Sequence, residues 1–253
     1  MRWTYLILIL VFTIVGGMIP VWYRNLNKKV IVYLLTFTGA FLLGITVLHL
    51  APESFETLGK QAGIYILAGF FLQVFMQRWS HGMEHGHGYA PPGQEADLKP
   101  HAGHVAQATA FSLIIGLSVH AFMEGLPLGF SYQDPSVLPS LALGILLHKM
   151  PEALTLMTML VAMRLNRKRN IGLLFLFSLV TPGAALLAFG LNSEFAFMDR
   201  ILLYVVAIVT GAFLHISTTI FFESGTRHHE LNRGKIISMV VGLGLAGLTL
   251  LSP

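Results

Sequence analysis

The sequence contains no cysteine and few charged residues. Without cysteine the chain has neither disulfides nor thiolate ligands, so any transition metal must be bound by His nitrogen and carboxylate oxygen. Charged residues make up only 11% of the 253 residues, whereas hydrophobic residues make up 55%. A soluble domain carries much more charge. These proportions predict a protein with several membrane-spanning helices.

The chain also lacks the marks of two other protein classes. Its net charge is +4, but the basic residues lie in loops between apolar runs, which argues against nucleic-acid binding. No charged segment followed by a small-residue cleavage site stands out at the N-terminus, so the first apolar run is predicted to remain as a transmembrane helix.

The apolar runs predict an all-α integral membrane protein with eight spans. Residues 1–253 are expected to form a single transmembrane domain. Each run is close to the length that one helix needs to cross a bilayer. The predicted spans are 4–22, 30–51, 60–79, 107–130, 137–163, 171–191, 201–222 and 235–251.

Loop charges predict the orientation of these spans. The odd-numbered loops carry 12 basic residues, whereas the opposite side carries three. By the positive-inside rule the odd-numbered loops are cytoplasmic, which places both termini outside.

Two short segments place metal-ligand residues inside apolar spans. His120 precedes Glu124 by four residues, and His148 precedes Glu152 by the same spacing. On a helix each pair shares one face. Ionisable residues inside a membrane span are costly, so a functional role is expected. Nitrogen and oxygen ligands suit zinc and its divalent neighbours.

The two pairs are predicted to meet at one depth. A short polar link joins the fourth and fifth spans, so these spans should form an antiparallel hairpin. His120 lies 10 residues before the end of its span at Phe130, and His148 lies 11 residues after Val137. These separations correspond to roughly 15 and 16.5 Å. A site near the middle of the bilayer is therefore expected, between helices four and five.

Lys149 has two possible partners. It lies three residues before Glu152, close enough to pair with it on a helix. Alternatively, its ammonium points to a neighbouring site and stands in for a second cation.

Pro127 and Pro151 predict kinks beside the ligand pairs.

Other polar residues are candidates for an ion pathway. His49 and Glu53 lie near the outer end of the second span, where they either receive an ion or pack at the interface. Thr181 either lines the path or satisfies a backbone carbonyl. His215 is either a pathway group or a hydrogen-bond partner between helices. Glu223 is a candidate for the inner exit.

The third loop, about 80–106, is rich in His, Gly and Pro and is predicted to be disordered and cytoplasmic. Its histidines favour transient metal binding, although a solvated linker is the alternative. The candidate ligands are His81, His85, His87, His101 and His104.

The paired segments resemble the ZIP (Zrt/Irt-like) family of divalent-metal transporters. The resemblance rests on His120-x-x-x-Glu124-Gly125 and His148-x-x-Pro151-Glu152, and it extends to His49-x-x-Pro52-Glu53 and Thr181-Pro182. It implies zinc uptake toward the cytoplasm, with Fe²⁺, Mn²⁺ and Cd²⁺ as alternative substrates. Metal is then cargo, and no prosthetic cofactor is implied. The plasma (cell inner) membrane and a homodimer are expected.

Three positions depart from the pattern of other members of that family. Ala121 and Lys149 occupy places where such members have ligands of a second metal, and Thr181 replaces a glutamate that some members have. The resemblance therefore implies one transport site formed by His120, Glu124, His148 and Glu152.

The alternatives to metal uptake are an enzyme, a metal exporter and a metal sensor. A membrane zinc hydrolase would need His-Glu-x-x-His on one helix, which neither segment has, so an enzyme is not expected. A metal exporter and a metal-binding sensor without net uptake are the remaining alternatives. Because ligands must lose protons to bind metal, transport is expected to weaken at low pH.

Overall fold

The computed structural model describes residues 2–23, 28–79, 104–132, 134–163, 166–194, 198–223 and 232–251. Within these ranges the backbone is almost entirely helical and contains no strand. The all-α prediction is therefore confirmed for the part of the chain that the structure describes.

Nine α-helices run through the described residues. A π-helical turn, Thr46–Leu50, joins α2 to α3, and short 3₁₀ turns follow α3, α5 and α9 at Gly59–Gln61, Leu126–Gly129 and Thr249–Leu251. The helices are α1 (Arg2–Trp22), α2 (Lys28–Ile45), α3 (Ala51–Leu58), α4 (Ala62–Trp79), α5 (His104–Gly125), α6 (Val137–Ala162), α7 (Arg167–Glu194), α8 (Met198–Glu223) and α9 (Arg233–Leu248).

The second predicted span ends later than the sequence suggested. Instead of stopping at residue 51, helical structure continues through the π turn and α3 to Leu58. The N–H of Ala51 donates to the carbonyl of Thr46, five residues earlier, and Pro52 lies in the first turn of α3. Proline is tolerated there because N–H groups of a first turn need no partner within the helix.

The fourth predicted span also differs at both ends. Its helix begins at His104 rather than at 107, and α-helical structure ends at Gly125 instead of continuing to 130. Pro127 explains the end, because its ring removes one hydrogen bond and the chain tightens into a 3₁₀ turn. Pro151, in contrast, lies inside α6, which continues to Ala162.

Six segments of the described residues are long and apolar enough to cross a membrane. They are Trp3–Trp22, Lys29–Gln77, Val137–Val161, Arg167–Leu191, Arg200–Ile220 and Arg233–Leu251. The segment Lys29–Gln77 has 49 residues and contains the helix break at Gly59, where φ is +57°. The apolar helix Ile114–Gly129 is shorter.

The helices pack in two groups. In the first group, α1 packs against α6 and α7, and α5 packs against α7. In the second, α8 packs against α2 and α4, and α2 packs against α9. The most extensive contact between the groups runs along α2 and α6. We call these the α5–α6 group and the α8 group.

Glycines allow the closest helix contacts within each group. A Cβ at Gly211 of α8 would overlap the backbone carbonyl of Ile66 on α4, and a Cβ at Gly69 would overlap that of Ile208. In the α5–α6 group, a Cβ at Gly125 would overlap the carbonyl of Thr181 on α7. Small residues at such crossings let two backbones approach inside a membrane.

The Gly211→Ala variant is expected to be destabilised because the overlap is with rigid backbone. Gly244→Ala is the matched control, since no atom lies within 4 Å of a Cβ built there. Alanine is favoured over glycine inside a helix by about 1 kcal/mol, so the control should be neutral or stabilised. Thermal unfolding in detergent measures both. Equal melting temperatures for the two variants would contradict the close α4–α8 packing.

Candidate metal site

Four potential metal ligands come together between α5 and α6. His120 and Glu124 come from α5, and His148 and Glu152 come from α6. One ligand atom from each residue lies within 4.8 Å of the others. Each helix contributes its pair from one face because the residues are four apart. The four residues therefore form one group, as the paired spacing predicts.

One oxygen of each carboxylate faces the histidines. Glu124 Oε1 lies 3.0 Å from His120 Nε2 and 3.6 Å from His148 Nε2. Glu152 Oε1 lies 3.9 Å from His120 Nε2. The imidazole rings are 5.9 Å apart and nearly perpendicular. Two nitrogens and two oxygens thus point into one small volume.

The second oxygen of each carboxylate contacts Lys149. Lys149 Nζ lies 2.6 Å from Glu124 Oε2 and 2.5 Å from Glu152 Oε2. The ammonium therefore pairs with Glu152 on its own helix and with Glu124 across the helix interface. Each glutamate has one side toward the histidines and one toward the lysine.

All five side chains are buried, and none is more than 4% exposed. Burying a charge is costly unless it is paired. Imidazoles that bind a metal are neutral, so the two carboxylates would then carry one negative charge more than the ammonium offsets. Glu152 Oε1, which faces the histidines, is also buried without a hydrogen-bond partner among the described residues. The arrangement fits a divalent cation bound on the histidine side.

Helix α7 contacts the backbone of α5 beside this site. Thr181 Oγ1 donates a hydrogen bond of 3.0 Å to the carbonyl of Ala121, the residue after His120. Of the two roles predicted for Thr181, the structure shows the hydroxyl on a backbone carbonyl. The Thr181 hydroxyl can reach the Ala121 carbonyl because α5 and α7 approach closely at Gly125.

Phe177, which also lies on α7, was not among the predicted site residues. The Lys149 ammonium lies over its ring, 5.3 Å from the centroid. Phe177 is one helical turn before Thr181, so the two residues share a face of α7. Nothing in the sequence indicates that this face of α7 turns toward Lys149.

His49 and Glu53 do not belong to the four-residue group. His49 lies in the π turn and its Nε2 is 2.8 Å from Thr249 Oγ1 at the end of α9. Glu53 is buried in α3 rather than opening a loop.

In the loop between α5 and α6, Ser136 donates a backbone hydrogen bond of 2.8 Å to Asp134. The hydrogen bonds from Ser136, with a weaker effect of His49, lower the pKa of the Asp134 carboxyl.

His215 also lies apart from the group. Its Nε2 is 2.6 Å from Gln77 Oε1 on α4, and its ring meets Phe70 edge to face. This is the helix-to-helix hydrogen bond that was one of its two predicted roles.

Glu223 ends α8 and His104 begins α5, but the structure does not describe their side chains. His81, His85, His87 and His101 lie outside the described residues.

Apolar helices and a buried His/Glu group define a multi-pass membrane protein with a site suited to a divalent metal. Residues 80–250 match the family model "ZIP Zinc transporter", which covers more than half of the chain. The protein therefore belongs to the ZIP zinc transporter family, whose members transport divalent metals and are not enzymes. Comparison with curated proteins finds no match.

Proposed function

We propose that this protein carries divalent metal, chiefly Zn²⁺, into the cytoplasm through His120, Glu124, His148 and Glu152. The observation that supports this function best is their convergence from two adjacent helices into one buried group. Two carboxylates offset the double charge of the ion, and imidazole nitrogens add affinity for zinc over harder cations. The metal is substrate, so the site must also release it.

The chain is proposed to cross the membrane eight times. In this arrangement α2, the π turn and α3 form the second span, and α4 and α5 form the third and fourth. The positive φ of Gly59, between α3 and α4, supports a turn on the outer side. The loop charges place both termini outside, and the cell inner membrane is the proposed location. A homodimer is compatible with this topology.

The site is proposed to hold one ion rather than two. Lys149 binds the carboxylate oxygens that face away from the histidines, at 2.5 and 2.6 Å. A second metal bridging the two glutamates would need those same oxygens. The ammonium supplies positive charge at that place, and Ala121 offers no ligand atom there.

The proposed path begins at the outer end of α3 and α6. His49, Glu53 and the ionised Asp134 gather the ion, which then reaches the central group. A rocking movement of the α5–α6 group against the α8 group exposes the site inward. Histidines of the third loop are proposed to receive the ion there.

Zinc influx into proteoliposomes that enclose a fluorescent chelator tests this function. Wild type should show saturable influx, and His120→Ala/His148→Ala should reduce it at least about 100-fold. Repeating the assay with Fe²⁺, Mn²⁺ and Cd²⁺ ranks the substrates. Outward flux alone would favour an exporter. Stoichiometric zinc binding with no flux above empty liposomes would favour a sensor.

A further inference from the structure

We propose that Phe177 is a positioning residue that holds the Lys149 ammonium and so sets the metal affinity of the central site. The inference rests on the proposed function, because it concerns the same site. The Lys149 ammonium lies over the Phe177 ring, and Phe177 is not one of the four proposed ligands. Its ring comes from α7, whereas the site residues come from α5 and α6.

The ammonium has three favourable neighbours. Glu124 Oε2 and Glu152 Oε2 lie at 2.6 and 2.5 Å, and the ring centroid of Phe177 lies at 5.3 Å. A cation within about 6 Å of a ring face is attracted by the negative charge density there, most strongly where water is absent. Lys149 is only 1% exposed, so water does not weaken this contact.

No other polar group of the described residues pairs with Lys149. Phe177 belongs to a buried apolar cluster that includes Leu117, Leu156 and Leu174. These aliphatic side chains provide no electrostatic attraction. Among the described residues, the ring is therefore the one attractive contact of the ammonium besides the two carboxylates.

Metal binding makes this ring more important. A divalent ion on the histidine side withdraws charge from both carboxylates and repels the ammonium. Because both carboxylates then attract the ammonium less strongly, the contact with the ring contributes a larger share of what holds Lys149 in place. The ring thus favours the metal-bound state over the metal-free state. Removing its negative face should lower metal affinity while leaving all four ligands in place.

Fluorinated phenylalanines at position 177 provide the test. Fluorine withdraws charge from the ring face with little change in size, so a residue that only fills space should respond little. Zinc affinity is measured on the purified full chain with Phe, difluoro-Phe and trifluoro-Phe at this position. We expect a stepwise loss that reaches about 10-fold. The matched control is the same series at Phe213, which is buried in α8 and should show no trend.

A second series in the Lys149→Met background measures the coupling directly. Without the ammonium, fluorination at position 177 should leave zinc affinity unchanged. The same loss in both backgrounds, or no trend with Lys149 present, would overturn the proposal. If Lys149→Met does not fold, the comparison of positions 177 and 213 decides alone.

Melting temperatures of the metal-free protein separate this proposal from the transport proposal. Fluorination should lower the melting temperature only while Lys149 is present, whether or not zinc binds. A wild-type chain that binds no zinc would refute the proposed function and, with it, the effect of Phe177 on affinity. Zinc binding without the fluorination trend would refute the role of Phe177 alone.

Discussion

The Glu124→Gln/Glu152→Gln variant is expected to lose at least about 100-fold in zinc affinity and all measurable uptake. Glutamine preserves the shape of both side chains but removes the negative charge that binds a divalent ion. Each amide keeps one oxygen where the carboxylate had two, and both imidazoles remain. The expected loss therefore measures the contribution of charge to the site. Equilibrium zinc binding in detergent and influx in proteoliposomes provide the two readouts.

A charge-balanced control is needed because this variant leaves Lys149 buried without a counter-ion. Adding Lys149→Met removes that charge, so the triple variant should recover stability but not zinc binding. Glu56→Gln, on an exposed residue of α3, should behave as wild type. Wild-type zinc affinity in the double or triple variant would show that the ion binds elsewhere.

Lys149→Met is expected to change stability and zinc affinity in opposite directions. Without zinc, the two carboxylates lose their shared partner, and removing one member of a buried ion pair costs about 3–5 kcal/mol. With zinc, no ammonium opposes the incoming ion, so affinity should rise by at least about 10-fold. The variant should therefore show a lower melting temperature in chelator and a larger zinc-induced increase than wild type.

Two further lysine variants control for this result. Lys149→Arg keeps the positive charge and should not gain zinc affinity, although its planar group fits the pocket less well. Lys60→Met removes an exposed charge and should change neither quantity. A loss of zinc affinity in Lys149→Met would show that the lysine supports the ion instead of occupying a competing position.

The central group was predictable because its geometry is local. A spacing of four residues places His120 with Glu124 and His148 with Glu152, and the short link between α5 and α6 matches their depths. The contact between Lys149 and Glu152 follows from the same helical spacing. The contact between Lys149 and Glu124 crosses two helices, so it depends on rotations that the sequence does not specify.

Residues of α7 were harder to predict for the same reason. Thr181 contacts the carbonyl of Ala121 because α5 and α7 approach closely at Gly125. Phe177 faces Lys149 only as a result of that packing. The sequence identified Thr181-Pro182 as unusual but had no signal for an apolar residue in an apolar helix.

Two predicted helix ends near proline were wrong. The second span was predicted to end just before Pro52 and the fourth to run past Pro127, yet helical structure continues past Pro52 to Leu58 and α-helical structure ends before Pro127. The difference lies in the preceding turn. The π turn before α3 provides an alternative hydrogen bond for the backbone, whereas the segment after Gly125 tightens into a 3₁₀ turn.

The lysine bound to both glutamates has a consequence for how uptake responds to scarcity. When metal is dilute, the occupancy of a site that must bind two ions is proportional to the square of the metal concentration. The transport rate of such a site therefore falls steeply as metal becomes scarce. In the proposed one-ion site, the Lys149 ammonium takes the place of one of the two cations and is present at every metal concentration. Occupancy of that site would then fall only in proportion to the concentration of free metal, which suits a carrier that must keep working when its substrate is rare.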